Sequence, residues 1–150
     1  VPGMHDMDDY PESNAVDGLV VFRYDSPLFF ANADDFVERA LEAVDANEAD
    51  GTHVHWFLLN AEANTEFDLT AVDALEELRE QLIGRGVRFA MARVKQEVIR
   101  QLEPSGLIDR LGEDHIYETL PTAVRAYAAD YARVHDGAAP AGVPGEILNG

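Results

Sequence analysis

Short apolar runs alternate with amphipathic helical stripes along the middle of this chain, and no other feature constrains its fold as strongly. The run at residues 54–59 is apolar except for His55, and its length suits a strand that is buried on both faces. Helical stripes precede and follow it in the sequence. When strands and helices alternate, each helix crosses over the sheet and the strands it connects pair in parallel. The pattern therefore predicts an α/β fold with a mostly parallel central sheet.

The individual elements are predicted from composition and periodicity. Runs of β-branched and aromatic residues predict strands at residues 19–24, 28–31, 54–59, 87–92 and 115–118, of which the first two would form an N-terminal strand pair. Apolar residues at helical spacing predict four to five helices. Their inward-facing residues are Phe36, Val37, Ala40, Leu41 and Val44, then Val72, Leu75, Leu78, Leu82 and Ile83, then Val98, Ile99 and Leu102, and finally Val124, Tyr127, Ala128, Tyr131 and Val134.

The two ends of the chain differ in composition from the middle. We predict an acidic linker or leader at residues 1–17, a compact domain at 18–135, and a flexible tail rich in alanine, glycine and proline at 136–150. The chain starts at Val1, without an initiator methionine and without the apolar segment of a signal peptide. We therefore expect it to be a piece of a longer protein or a processed one.

Charge and cysteine content exclude several classes of function. The 150 residues include 29 acidic and 11 basic side chains, for a formal net charge of −18. Nucleic acids and anionic membrane surfaces are bound by basic patches, so we predict no nucleic-acid partner. The absence of cysteine removes disulfides, thiolate metal sites and cysteine nucleophiles. No apolar run approaches the roughly 18 residues that cross a bilayer as a helix.

The motifs of common nucleotide-binding and hydrolytic enzymes are absent. The chain has no P-loop, no dinucleotide-binding fingerprint and no G-x-S-x-G elbow. In parallel sheets, ligands bind outside the carboxyl ends of the strands, which are followed here by residues 31–34, 60–70 and 93–95. At this rim Arg93 and Lys95 would attract a phosphate. The alternative is that both side chains are solvated or paired with nearby carboxylates.

Two groups of residues have side chains that can bind a metal ion. His53 and His55 are two residues apart on a predicted strand, so both imidazoles would lie on the same face. No third ligand is near them in the sequence, and ordinary strand histidines are the simpler interpretation. Glu62, Glu66 and Asp68 lack the spacing of a calcium-binding loop, so a solvated loop is expected. We predict no metal site.

The start of the second predicted helix is more informative. Asp68 stands where a helix N-cap belongs, and Thr70 lies in the first turn. A phosphate on Thr70 would face the positive end of the helix but would crowd Asp68 and Asp73, so it would change the electrostatics of a docking face. The alternative is that Asp68 and Thr70 simply start a helix.

Several segments together resemble the STAS domain, which is shared by the cytoplasmic tails of SulP-type sulfate permeases and by anti-sigma-factor antagonists. The resemblance covers residues 18–131. It is carried by Pro27-Leu-Phe-Phe-Ala-Asn32, Asp68-Leu-Thr70-Ala-Val-Asp73-Ala-Leu75, Gly86-Val-Arg-Phe-Ala-Met-Ala-Arg93-Val-Lys95, Gly106-Leu-Ile and Ile116-Tyr-Glu-Thr-Leu-Pro-Thr-Ala-Val124. It implies the STAS-like, anti-sigma-factor-antagonist-like fold.

Residues 27–32 are most similar to the permease branch of this family. The resemblance then implies a regulatory and interaction domain, not an enzyme, at the cytoplasmic side of the plasma (inner) membrane. Its implied partners are the transmembrane transporter domain of the same polypeptide and a soluble regulatory protein. It also implies a nucleotide ligand at the rim, GTP or GDP before ATP, with no required cofactor.

Two alternatives remain at this stage. One is a free-standing anti-sigma-factor antagonist that is switched by phosphorylation at Thr70. Antagonists have a serine in the motif that contains Thr70 here, and Asn60 stands where the family often has aspartate. The other is a slow nucleotide hydrolase that uses Asp68 or Asp73 with magnesium, although no motif positions a γ-phosphate.

The predicted site residues follow from the rim and from the resemblance together. Thr70 is the regulatory, phosphoacceptor-like residue, and no catalytic residue is predicted. The residues expected to bind a partner or a nucleotide are Phe30, Asn32, Asn60, Asp68, Leu69, Thr70, Asp73, Arg93 and Lys95.

Overall fold

The computed structural model describes residues 15–26, 30–112 and 115–149, with the backbone alone at Phe30 and Asn149. Its strands are β1 (Leu19–Arg23), β2 (Trp56–Asn60), β3 (Arg88–Ala92) and β4 (Ile116–Tyr117). Its α-helices are α1 (Ala33–Glu48), α2 (Leu69–Gly84), α3 (Gln96–Leu102), α4 (Leu107–Leu111), α5 (Leu120–Val134) and α6 (Gly145–Asn149). Single 3₁₀ turns occupy Phe30–Asn32 and Glu103–Ser105.

The four strands form one parallel sheet in the order β1-β2-β3-β4. β2 lies between β1 and β3, and its last residue, Asn60, stands opposite Arg23 on one side and Ala92 on the other. β4 pairs only with the last two residues of β3. The α/β fold with a parallel central sheet, predicted from the alternation of runs and stripes, is confirmed.

Alternate side chains of the strands enter two separate cores. The core between the sheet and α1–α4 includes Val20, Phe57, Leu59, Phe89 and Met91. The core between the sheet and α5–α6 includes Leu19, Trp56, Leu58, Ala90 and Ala92. All five residues of β2 are buried. This burial on both faces is what the apolar run at residues 54–59 predicted.

The helical stripes face these cores except near two helix ends. Ile83 in α2 and Val134 in α5 were predicted to face inward but are 55% and 71% exposed. A 16-residue helix is about 24 Å long, whereas a five-residue strand spans about 17 Å. The last turns of these helices therefore extend past the surface that the strands can cover.

The structure also differs from the sequence prediction in two segments before β4. Of the predicted strand at 28–31, residues 28 and 29 lie outside the described part, and the chain after them forms the 3₁₀ turn Phe30–Asn32. The predicted helix at 95–103 ends at Leu102, because Pro104 cannot supply the backbone hydrogen bond of a continuing helix. Gly106, at φ +79°, then redirects the chain into α4, which the sequence did not predict.

The segment predicted to be a flexible tail contains α6. Ile147 is 5% exposed and lies in the second core, where the Arg125 Nε donates a hydrogen bond of 2.8 Å to its carbonyl oxygen. The Asp17 N–H donates to the Ala141 carbonyl oxygen at 2.9 Å, so the tail also contacts the segment that precedes β1. One buried isoleucine in an Ala/Gly/Pro-rich segment is too weak a pattern to predict this packing. The boundaries of the compact domain stay a prediction.

Candidate functional site

The candidate site is the rim of the sheet at the carboxyl ends of its strands. The register brings Arg23, Asn60 and Ala92 side by side, since each is the last residue of its strand. Neighbouring strands are about 4.8 Å apart, so residues that follow β1, β2 and β3 can contact one another. This is the position at which parallel α/β sheets bind ligands.

Asn60 shapes the turn that follows β2. Its side chain is 2% exposed, and its Oδ1 accepts a hydrogen bond of 3.1 Å from the Glu62 N–H. The next residue, Ala61, donates its N–H to the Ala92 carbonyl oxygen at 2.9 Å. Asn60 therefore lies at the predicted rim, but as a buried group that directs Glu62 outward.

A carboxylate lies between two guanidinium groups at this rim. The Glu62 Oε1 accepts a hydrogen bond of 2.8 Å from the Arg23 Nη1, and its Oε2 is 2.9 Å from the Arg93 Nη2. The Arg23 Nε also pairs with Asp25, and this hydrogen bond is the main reason that the pKa of Arg23 is raised. The side chains of Arg23, Glu62 and Arg93 are 36%, 38% and 23% exposed. We call these three residues the rim triad.

Arg93 has an unusual backbone conformation. Its φ of +60° is in the left-handed region, which residues other than glycine adopt at a cost of about 1 to 2 kcal/mol. Its N–H donates to the Tyr117 carbonyl oxygen at 3.0 Å, which ties the residue to the end of β4. With this backbone conformation the Arg93 side chain reaches Glu62.

A second buried asparagine joins the loops that follow β1 and β2. Asn64 is 1% exposed, and its Nδ2 donates to the carbonyl oxygens of Tyr24 at 3.0 Å and Ser26 at 2.5 Å. Its Oδ1 is buried without a hydrogen-bond partner. The Asn64 amide nitrogen therefore connects the two loops through buried hydrogen bonds and helps to fix their positions at the rim.

The start of α2 presents the predicted docking residues. The Asp68 Oδ1 accepts a hydrogen bond of 2.8 Å from the Ala71 N–H, which confirms Asp68 as the N-cap. Leu69 is 83% exposed, Thr70 is half-buried, and Asp73 is exposed. The Asp68 N-cap is worth about 1 kcal/mol of helix stability. Beside it, an exposed leucine between polar residues at a helix start offers an apolar contact to a partner.

Asn32 and Phe30 lie at the start of α1, beside the end of β1. Asn32 is at the N-cap position, but its Nδ2 donates to the Ser26 Oγ at 2.8 Å and its side chain makes no capping bond. The Tyr24 hydroxyl donates to the Asp35 Oδ2 at 2.7 Å. Burial, and then this hydrogen bond, raise the pKa of Tyr24 to about 12, while the same bond is the main cause of the lowered pKa of Asp35. Phe30 begins the 3₁₀ turn.

The predicted residues are distributed over this rim, and neither of the two pockets described beside it brings them together. Lys95 is exposed at the N-cap position of α3, two residues beyond Arg93. A surface pocket of about 570 Å³ beside β1 is lined in part by Arg23 and Tyr24. Another of about 270 Å³ beside β4 is lined in part by Val94. Asn60, Asp68 and Arg93 line neither of these two pockets.

The histidines lie at the opposite end of the sheet, before β2 begins. The ring centroids of His53 and His55 are 4.8 Å apart, and His135 lies 5.8 Å from His55. Burial, followed by the two neighbouring imidazoles, lowers the pKa of His55. The His53 Nδ1 is 3.1 Å from the Glu48 Oε2. Among the described residues, no three His, Cys, Asp or Glu side chains are grouped so that they could hold a metal ion.

Sequence reasoning missed two members of the rim triad as site residues. Arg23 lies inside the predicted strand at 19–24, and Glu62 is predicted only as part of an acidic loop. A single arginine in an otherwise apolar strand gave no local signal for a site. The meeting of both with Arg93 depends on strand order, which no local pattern reveals.

Comparisons with known proteins give a consistent result. A family model described as "STAS domain" matches residues 10–123. A protein of Mycobacterium tuberculosis named a probable sulfate transporter is 58% identical over 127 residues, covering 85% of this chain and 22% of the relative. A low affinity sulfate transporter of Stylosanthes hamata is 33% identical over 128 residues, covering 81% of this chain and 20% of the relative.

A solved structure supports the fold in the same way. The structure of a SulP transporter STAS domain from Vibrio cholerae has a TM-score of 0.65 and 19% identity, covering 86% of this chain and 95% of that one. At this identity the likeness shows the fold alone. The chain spans about a fifth of the length of the curated relatives. Within the described ranges, no helix is both long and apolar enough to cross a membrane.

Proposed function

Because the chain belongs to the STAS domain family, we propose that it is the cytoplasmic regulatory and interaction domain of a transporter for sulfate or a related anion. The 58% identity to a named sulfate transporter supports this role and favours it over a free-standing anti-sigma-factor antagonist. The domain would act by recognition, through contact with the membrane-embedded part of its own polypeptide. A second copy or a soluble regulatory protein would be further partners.

The observation that carries the interaction role is the exposure of Leu69. Leu69 lies in the first turn of α2 and is 83% exposed, so its apolar side chain is available to a partner. It is adjacent to the capping Asp68 and to Thr70, so an apolar contact is surrounded by polar groups. That arrangement, an apolar centre with a polar rim, is typical of protein interfaces. Phosphorylation of Thr70 would place negative charge beside this contact and weaken it.

We expect Leu69→Asp to reduce sulfate uptake by cells that produce the full-length transporter. Loss of a central apolar anchor commonly costs more than 1 kcal/mol, which is about fivefold in affinity. The measurement is the initial rate of radiolabelled sulfate uptake, normalised to the amount of transporter in the membrane. Ile83→Asp is the matched control, since Ile83 is 55% exposed at the other end of the same helix. Equal rates for the two variants would contradict a docking role of Leu69.

We also propose that the rim binds a nucleotide, with a guanine nucleotide favoured. Support comes from the two arginines of the rim triad, whose guanidinium groups hold one carboxylate between them at the rim. Lys95 and the start of α3 lie next to Arg93 in the sequence. Phe30, Asn32 and Asn60 stay predicted members of this site.

Amide NMR titration of the 150-residue chain with GTP, GDP and ATP tests the nucleotide proposal. We expect saturable shifts for the guanine nucleotides at Asn60, Arg93 and Lys95, because Asn60 ends β2 and the other two follow β3 at the rim. The amides of Gly51 and Gly137, at turns away from the rim, report non-specific effects. If no nucleotide shifts the rim signals, the domain has no nucleotide role and acts through protein contacts alone.

A further inference from the structure

We infer that Arg23 and Arg93 form a phosphate-binding site, and that Glu62 occupies this site as an internal competitor. This inference rests on the proposed nucleotide site and names its phosphate contact and its regulation. It rests on the one place among the described residues where two guanidinium groups hold the same anion. Neither Arg23 nor Glu62 was part of the site expected from sequence.

The geometry of the rim triad is that of one anion shared between two guanidinium groups. Each Glu62 carboxylate oxygen is bound by a different arginine, at 2.8 Å to Arg23 and 2.9 Å to Arg93. Guanidinium groups bind carboxylates and phosphates through the same planar N–H donors. A phosphate group has more acceptor oxygens than a carboxylate and about twice the charge at neutral pH, so it can replace Glu62 between the two arginines.

Each arginine also has a contact that does not involve Glu62. The Arg23 Nε pairs with Asp25, which leaves the Nη groups for an anion at the rim. The backbone of Arg93 is fixed in its left-handed conformation, with its N–H bound to the Tyr117 carbonyl oxygen. When Glu62 leaves, the two guanidinium groups lose the anion between them, and the repulsion between their like charges favours a replacing anion.

Glu62 is suited to leave because the triad is partly solvated. All three side chains are between 23% and 38% exposed. Ion pairs at such exposure contribute little net free energy, since water solvates the separated charges well. Glu62 also lies in a loop, and rotation of its side chain opens the site without a change in the sheet. A phosphate group therefore replaces the Glu62 carboxylate only when it interacts more favourably with the two arginines than the carboxylate does.

The test compares Glu62→Gln with Glu66→Gln in the 150-residue chain. Both variants remove one negative charge from the same loop, but Glu66 is exposed and belongs to no ion pair among the described contacts. Inorganic phosphate is titrated at constant low ionic strength, and binding is followed by the Nε–Hε signals of Arg23 and Arg93. We expect Glu62→Gln to bind phosphate about fivefold more tightly than the original chain, since the competitor is lost. Glu66→Gln should change the affinity by less than about twofold.

A double variant identifies the arginines as the site. Arg23→Gln combined with Glu62→Gln should lose the gain in phosphate affinity, and far-ultraviolet circular dichroism verifies that each variant is folded. Equal affinities for Glu62→Gln and Glu66→Gln, or shifts at other arginines, would overturn the inference.

Parallel titrations separate this inference from the proposed nucleotide role. If Glu62→Gln tightens phosphate binding but neither GTP nor guanosine binds, the anion site stands and the nucleotide role falls. If GTP binds the original chain and Glu62→Gln does not increase the affinity for GTP, the nucleotide role stands. The inference that Glu62 is an internal competitor is then wrong. Tighter binding of GTP but not of guanosine in Glu62→Gln supports both, because only GTP carries the phosphates.

Discussion

Replacing Gly18 by alanine is expected to lower the free energy of unfolding by about 3 kcal/mol, one of the two largest effects that we predict. Gly18 immediately precedes β1 and has φ +80°, a conformation that costs an alanine about 1 to 2 kcal/mol. An added Cβ would also overlap the Tyr127 hydroxyl and lie 2.8 Å from the His55 Cδ2. The overlap adds a further cost of about 1 to 3 kcal/mol, which is typical of overpacked interiors. This cost is at the lower end of that range if Tyr127 shifts.

The surroundings leave little space for relief. The Tyr127 hydroxyl donates to the Asp17 carbonyl oxygen at 2.5 Å, and the Gly18 carbonyl oxygen accepts from the N–H groups of His55 and Trp56 at 2.8 and 3.2 Å. Moving Gly18 would therefore break the connection between β1 and β2 where both strands begin. Moving Tyr127 would disturb the core beneath α5.

Gly51→Ala is the matched control for this measurement. Gly51 has φ +90°, but a Cβ there would meet nothing within 4 Å. The substitution should therefore cost only the strained backbone conformation, about 1 to 2 kcal/mol. Urea denaturation of both variants, followed by circular dichroism, gives the two values. A Gly18→Ala variant no less stable than Gly51→Ala would show that the close approach of Tyr127 and His55 is wrong.

Leu75→Ala is expected to destabilise the chain by about 3 kcal/mol, within the range of 2 to 5 kcal/mol for buried leucines. Leu75 is fully buried in the core between the sheet and α1–α4. Truncation removes apolar contacts and leaves a cavity that a packed interior fills only in part. The measurement is again the midpoint and slope of urea denaturation.

Leu69→Ala supplies the same substitution on the same helix at an exposed position. Because Leu69 is 83% exposed, this substitution should change the free energy of unfolding of the chain by less than about 0.5 kcal/mol. The pair thus separates stability from docking, because a loss of sulfate uptake in a stable Leu69 variant can only arise at the surface. A Leu69→Ala variant as unstable as Leu75→Ala would mean that Leu69 packs against the domain.

Much of the fold followed from patterns that are local in sequence. The burial of β2 on both faces was predicted from one apolar run, and the start of α2 from Asp68 and the apolar stripe that follows it. Local patterns failed where long-range packing competes with them. Ile83 continues an apolar stripe but lies beyond the end of the sheet, and Ile147 is buried although its segment has the composition of a tail.

The site was less accessible to sequence analysis than the fold. The sequence directed attention to the rim, because the carboxyl ends of parallel strands share one edge of a sheet. It singled out Arg93 as a candidate for binding a phosphate, which stays a prediction. It did not single out Arg23 for any role, since a terminal arginine on a strand is ordinary in a water-exposed position.

The sequence by itself determined the type and order of the elements, since the period of apolar residues and the N-cap are properties of neighbouring positions. Only the tertiary structure decided which distant side chains meet. Arg23 and Glu62 are 39 residues apart in the chain, and they meet because β1 pairs with β2 in a register that ends both strands together. Side-chain contacts at the rim depend on strand order, register and one left-handed residue, and none of these is fixed until the sheet has assembled.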